Sequence, residues 1–200
     1  MDTAVVLLIA YLLGSVPSGL WVGKLFYNKD IRESGSGNLG ATNTFRVLGK
    51  KAGIAVTLMD ILKGTAAVLL LEIPAFADSG VHPLTLGIAA VIGHMFPVFA
   101  KFRGGKAVAT SGGVILGYSW PFFLVLIASF LVILKLTKIV SLTSMAMGVI
   151  ALIYAIINYI RTGDLYLLIV VLVLSAFIFY RHRANIGRIK AGTEPKVKWL

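Results

Sequence analysis

The sequence predicts an all-α integral membrane protein of seven transmembrane helices, with the N-terminus outside and the C-terminus cytoplasmic. Three observations predict it. Hydrophobic residues make up 58% of the 200 residues and charged residues 14%, against roughly half and a quarter in ordinary soluble domains. The apolar residues fall in long runs, which marks membrane spans rather than one soluble core. Lys and Arg gather in particular connections, and the excess of basic residues in cytoplasmic loops orients the whole chain. Little length is left for anything else, so residues 1–200 read as a single polytopic membrane domain.

The first apolar run covers about residues 3–23, the length that a helical span needs. Gly14, Ser15, Pro17 and Gly19 interrupt it, which predicts close packing or a kink. It does not read as a signal peptide, because Asp2 stands in place of a positive n-region and no small-residue cleavage site follows. Lys24 and Lys29 come after the run and put the N-terminus outside. Residues 24–52 form a polar, Gly-rich cytoplasmic loop carrying Lys24, Lys29, Arg32, Arg46, Lys50 and Lys51. The second span covers about 53–73, and Glu72, Asp78 and His82 mark a connection without Lys or Arg on the outer face. The third covers about 84–99 and returns to Lys101, Arg103 and Lys106.

Val108 to Leu134 admits two readings. As one long helix it would put Lys135, Lys138 and the basic tail (Arg181, Arg183, Arg188, Lys190, Lys196, Lys198) outside. As two short helices turning near Gly117 to Pro121 it keeps them all inside, and the charge rule prefers this reading. Spans at about 139–159 and 164–180 complete the seven. No internal repeat of the kind common in secondary transporters is evident.

The formal net charge is +11. In a soluble protein it would point to nucleic acid; here it follows from the cytoplasmic loops, and no nucleic-acid partner is expected. The absence of cysteine excludes disulfides, a cysteine metal site and an acyl-cysteine intermediate.

Three cytoplasmic segments concentrate polar chemistry. Ser34-Gly35-Ser36-Gly37-Asn38-Leu39-Gly40-Ala41-Thr42-Asn43, followed by Arg46, has small residues that let a backbone approach a ligand and N–H groups that can cradle an anion. Arg46 adds a planar cation suited to phosphate. The Gly-Lys-Ser/Thr ending of a P-loop is missing, and a plain turn before a helix accounts for the same residues. Gly104-Gly105-Lys106 opens the helix that runs on through Thr110; it offers N–H groups and an ammonium, or serves only as a tight basic turn. It follows Gly93-His94, where His94 reads as a hydrogen-bonded core histidine or as a base. Arg181-His182-Arg183-Ala184-Asn185 closes the last span; read as helix, it puts His182 and Asn185 on one face. Inside the second span, Asp60 and Lys63 stand at i and i+3, a structural ion pair or a catalytic one.

Together these segments resemble the bacterial acyl-phosphate:glycerol-3-phosphate acyltransferase family, PlsY. The matching pieces are Ser36-Gly37-Asn38-x-Gly40-Ala41-Thr42-Asn43, Asp60-x-x-Lys63-Gly64, Gly93-His94-x-Phe96-Pro97-Val98-Phe99, Gly104-Gly105-Lys106-x-Val108-Ala109-Thr110 and Arg181-His182-Arg183-x-Asn185, in order over nearly the whole chain. The resemblance implies transfer of a fatty acyl group from acyl phosphate to the 1-hydroxyl of glycerol 3-phosphate, giving lysophosphatidic acid and phosphate. This is the first membrane step of bacterial phospholipid synthesis. It implies Ser36, Arg46, Lys106, His182 and Asn185 as catalytic residues holding glycerol 3-phosphate. It assigns the acyl-phosphate group to Gly37, Asn38, Gly40, Thr42, Asn43, Gly104 and Gly105, and a supporting role to Asp60, Lys63 and His94. No metal and no cofactor are implied. The partners are the two substrates, membrane lipid and the enzyme that makes the acyl phosphate. The location is the cell (inner) membrane with the active site facing the cytoplasm. The His-x4-Asp pair of the commoner glycerolipid acyltransferases is missing, since Gly87, Phe99 and Gly187 stand five residues after the three histidines.

Overall fold

The computed structural model describes residues 2–197; Lys198 of the basic tail lies outside the described residues. Among these residues the regular structure is helical, with no strand. Asp2 caps α1 (Thr3–Ser15), accepting from Ala4 N at 3.3 Å. The helix stops at Val16 because Pro17 has no N–H to give and disfavours helical backbone in the residue before it. The chain resumes as α2 (Ser18–Tyr27) after a bend of 46°. α3 (Ala41–Leu48) and α4 (Lys50–Val68) are parted by Gly49, whose φ of +88° favours glycine. α4 runs on as a 3₁₀ turn to Glu72, and the short α5 (Pro74–Ala77) follows. α6 (Pro83–Met95) begins on a proline and ends one residue short of Pro97. The remainder is α7 (Val108–Tyr118), α8 (Trp120–Thr137), α9 (Val140–Thr162), α10 (Leu165–Arg181) and α11 (Arg183–Lys190).

Among the described residues, four helices are long and apolar enough to cross a membrane: Lys50–Glu72, Pro83–Ala100, Trp120–Thr137 and Val140–Thr162. The bent pairs α1–α2 and α10–α11 raise the number to six. The stretch from Val108 to Leu134 breaks at Ser119, inside the expected turn region. What separates six from seven is α7, whose 11 residues extend only about 16 Å. The second difference concerns the last motif. His182 and Asn185 do not share one continuous helix, because the chain bends by 57° between α10 and α11. His182 sits at the break with φ −100° and ψ 7°, and its Nδ1 lies 2.7 Å from Ile178 O.

Contacts divide the chain into two compact units, Met1–Tyr118 and Ser119–Leu200. In the first, Val6, Ala10, Ala67, Leu70, Leu86 and Ala90 form a core from α1, α4 and its 3₁₀ extension, and α6. Glycine lets backbones touch: a Cβ at Gly14 would stand 1.9 Å from Ala90 O, and one at Gly113 1.9 Å from Ile61 O. Such close approach is how helices associate where lipid supplies no hydrophobic drive. In the second unit Phe122 of α8 stacks on Tyr154 of α9 at 3.8 Å, and Ser175 of α10 donates to Gly148 O of α9 at 3.0 Å. α8 buries little beyond Phe122 and Leu134; its exposed Leu124, Val125, Leu131 and Val132 make an apolar surface fit for lipid.

Candidate active site

The loop before α3 is folded by its own side chains. Asn43 is 1% exposed, and its whole amide is engaged: Nδ2 donates to Ile31 O (2.9 Å) and Ser34 O (3.1 Å), while Oδ1 accepts from Ser36 N at 2.8 Å. Asn38 Oδ1 accepts from Gly40 N at 2.9 Å. Both asparagines were expected to face phosphate; in this structure they shape the loop that carries Ser36, Gly37, Gly40 and Thr42. Gly35 and Gly37 take φ of +63° and +68°, and a Cβ at Gly35 would stand 2.3 Å from Asn43 Oδ1. The aliphatic stem of Arg46 lies on the same turn. Ser36, Thr42 and Arg46 are exposed, and Arg46 makes no ion pair among the described residues. The other nearby arginine is committed. Arg32 grips Asp30 through Nε–Oδ1 (2.9 Å) and NH2–Oδ2 (2.6 Å). These bonds hold the Asp30 carboxyl well below the usual carboxylate range, against a smaller opposing effect of burial.

The second cluster is sealed. Asp60 and Lys63 are 2% and 8% exposed and lie 2.7 Å apart. Ser18 Oγ donates to Asp60 Oδ1 at 2.8 Å, and Lys63 Nζ donates to Val16 O at 2.9 Å, where α1 breaks. His94 Nδ1 stands 3.6 Å from the same Asp60 oxygen and 3.1 Å from Thr110 Oγ1. The Gly104–Gly105 turn rests on this histidine. Gly105 N donates to His94 O at 3.1 Å, and a Cβ at Gly105 would stand 2.1 Å from His94 Nε2. A cavity of about 10 Å³ lies between the cluster and the turn, room for roughly one water and too small for a phosphate. Lys106 follows half-buried, ahead of Ala107, which takes a positive φ of 59°.

His182 and Asn185 belong to the second unit and are 3% and 6% exposed. A carbonyl only accepts, so His182 Nδ1 carries the proton donated to Ile178 O, and Nε2 of the neutral ring is an acceptor. Asn185 Nδ2 donates to Glu194, whose carboxylate also accepts from Ser141 Oγ (2.6 Å) and Arg188 Nε (2.7 Å). Burial raises the Glu194 pKa, but these three bonds outweigh it and leave the carboxyl below its ordinary value.

Sequence reasoning missed Ser18, Ser141 and Glu194, and placed Thr110 in a motif without giving it a role. Spacing carries no signal for the bonds of Ser18, Thr110 and Ser141, which reach their partners only through the fold. Glu194 had one: it is the sole acidic residue after Asp164, in a strongly basic tail.

The apolar helical spans, with a polar Gly-rich loop and a basic Gly-Gly turn between them, define an integral membrane protein. The sequence profile described as glycerol-3-phosphate acyltransferase matches residues 4–192. The chain is 61% identical over 197 residues to the glycerol-3-phosphate acyltransferase of Geobacillus kaustophilus, covering 98% of this chain and 97% of that protein. It is 57% identical over 200 residues to that of Bacillus subtilis, covering both completely. Two solved structures of PlsY, an integral membrane glycerol 3-phosphate acyltransferase, superpose on it. The glycerol 3-phosphate form gives a TM-score of 0.87 at 37% identity, covering 98% of this chain and 95% of that one. The lysophosphatidic acid form gives 0.84 at 36%, covering 97% and 94%. The chain belongs to the glycerol-3-phosphate acyltransferase family, and it is an acyltransferase.

Proposed function

We propose that this acyltransferase uses acyl phosphate as donor and glycerol 3-phosphate as acceptor, releasing lysophosphatidic acid and inorganic phosphate. The reaction would be the first membrane step of bacterial phospholipid synthesis. The observation that carries this reading is the self-folded loop from Ser34 to Asn43 with exposed Arg46 beside it, on the scaffold of a family whose solved PlsY members include glycerol 3-phosphate and lysophosphatidic acid forms. Ser36, Arg46 and Lys106 are assigned to glycerol 3-phosphate, as are His182 and Asn185. The backbone around Gly37, Gly40 and Thr42 and the Gly104–Gly105 turn are assigned to the acyl-phosphate group. Asn38 and Asn43 act by setting the shape of that loop, and Asp60, Lys63 and His94 by supporting the turn.

The chemistry needs no protein nucleophile. The glycerol 1-hydroxyl oxygen attacks the acyl carbonyl carbon, the carbonyl–phosphate oxygen bond breaks, and the hydroxyl proton passes to a phosphate oxygen. The leaving group is good, so positioning and N–H donors aimed at the developing negative charge supply the catalysis. A second reading makes His182 the general base. The bond from Nδ1 to Ile178 O favours it, because it leaves Nε2 as an acceptor.

The donor test decides the substrate. Purified protein should release phosphate from acyl phosphate only when glycerol 3-phosphate is present. Acyl-CoA or acyl carrier protein serving equally well would overturn the donor assignment. The topology proposed is seven crossings in the cell (inner) membrane, with α7 as a short span, N-terminus outside and polar loops in the cytoplasm. Single cysteines replacing Ser36, Lys106 and Arg188 should be labelled from one side and a cysteine replacing Gly80 from the other. Labelling of positions 188 and 80 from the same side would leave six crossings.

A further inference from the structure

Residues 191–197, after α11, have no regular secondary structure, yet the side chain of Glu194 is only 8% exposed. Ser141 from the start of α9, with Asn185 and Arg188 from α11, all donate to its carboxylate. Val197 N donates to Lys138 O at 2.8 Å, so the segment is tied down on both sides of Pro195. A carboxylate accepts and does not donate. Glu194 therefore dictates which end of the Asn185 amide faces it: the NH2 group turns toward the carboxylate and the oxygen away. It also links α11 to α9 just past the bend at His182, where the helical ladder alone does not fix the direction of α11. Its own charge has the same sign as both proposed substrates, so it serves neither phosphate directly.

We infer that Glu194 is a positioning residue for acyl transfer, fixing the orientation of the Asn185 amide and through it the grip on glycerol 3-phosphate. This rests on the assignment of Asn185 to that substrate.

A double-mutant cycle tests it. Glu194→Gln keeps the size but offers an NH2 group of its own, so position 194 no longer demands a donor from the Asn185 amide. The expected result is a fall of about tenfold in kcat/KM for glycerol 3-phosphate, mostly in KM, on the scale of a hydrogen bond to a charged group. Glu194→Asp, an acceptor on a shorter stem, should recover part of the loss. Combined with Asn185→Ala, Glu194→Gln should cost no more than about a further twofold, because the group it acts through is gone. Fully additive losses would show that Glu194 acts elsewhere and overturn the inference, as would parental kinetics in folded Glu194→Gln protein. Parental kinetics in Asn185→Ala alone would instead remove Asn185 from the substrate site and take the inference with it, an outcome visible before the double variant is made. If Glu194→Gln does not fold, Glu194→Ala, which removes the acceptor altogether, takes its place in the same cycle with the same criteria.

Discussion

The cluster around Asp60 and the loop around Ser36 belong to the same unit and draw on similar residue types, but they are finished differently. Around Asp60 the hydrogen-bonding groups find one another: Ser18, Lys63 and His94 surround one carboxylate oxygen, Thr110 bonds His94, and Lys63 reaches a backbone carbonyl at the helix break. The space left holds roughly one water. In the loop, buried Asn43 satisfies the backbone while Ser36, Thr42 and Arg46 stand exposed. An ionisable residue inside a membrane span is by default a candidate for function. Here that default leads to the scaffold of the Gly104–Gly105 turn, and the groups open to a ligand lie on the loop.

The largest effect should come from breaking the sealed cluster. Asp60→Ala leaves Lys63 buried without its partner, a loss on the order of 3–5 kcal/mol in stability. It should appear as a large drop in the melting temperature of the detergent-solubilised protein. Asp60→Ala with Lys63→Met should recover part of it, since removing both charges is milder than orphaning one. An unchanged melting temperature in Asp60→Ala would mean that the pair does not hold the first unit together.

The next effect should separate activity from stability. Arg46→Ala and Lys106→Ala are each expected to cost about 1.5–3 kcal/mol of transition-state stabilisation, ten- to a hundredfold in kcat/KM, with little change in melting temperature. An Arg46→Ala protein that melts early but turns over normally would erase the contrast between the two regions and make Arg46 a topology residue.

How much of this was legible follows from the range of each interaction. The break at Pro17 was readable because proline acts locally; the helices on either side of Gly49, and the end of α6 before Pro97, fell inside stretches read as one loop and one span. The Asp60–Lys63 pair was readable because i and i+3 share a helix face. The five motifs together identified the family. The finish of each site was not readable. Ser18 meets Asp60 across 42 positions and Ser141 meets Glu194 across 53, and no local pattern encodes such meetings. The break at His182 was missed because a basic run after an apolar helix reads as its continuation. The imidazole that folds back on Ile178 is a local bond, but nothing in residue spacing distinguishes it from an ordinary turn. That Asn43 bonds the loop's own backbone was not readable for a related reason. An amide in a Gly-rich loop serves an anion or the loop itself, and only its burial tells which.

His182 carries the smallest expected effect and tests where the line between sealed and open groups falls. It is as buried as the Asp60 cluster, yet it lies in a motif assigned to substrate. Its Nδ1 is spent on Ile178 O, so only the acceptor Nε2 bears on the two readings. If the histidine positions substrate, an amide oxygen can replace that acceptor. His182→Gln should then stay within about tenfold of the parent, with the loss mainly in the glycerol 3-phosphate KM. If it is the general base, the rate should fall by about 10²–10⁴ and the pH limb that it imposes should vanish. Positioning is the reading preferred here, because the acyl phosphate proposed as donor would bring a good leaving group and its own proton-accepting oxygens. A pH limb in the parent alone does not separate the two, since the second ionisation of a phosphate monoester falls at about pH 6. The pH profile of His182→Gln at saturating substrates does. A limb that persists with a modest loss keeps the histidine with the residues that hold and shape. A limb that disappears with a loss of about a thousandfold, in protein that melts like the parent, makes His182 the base and ends the substrate-assisted mechanism.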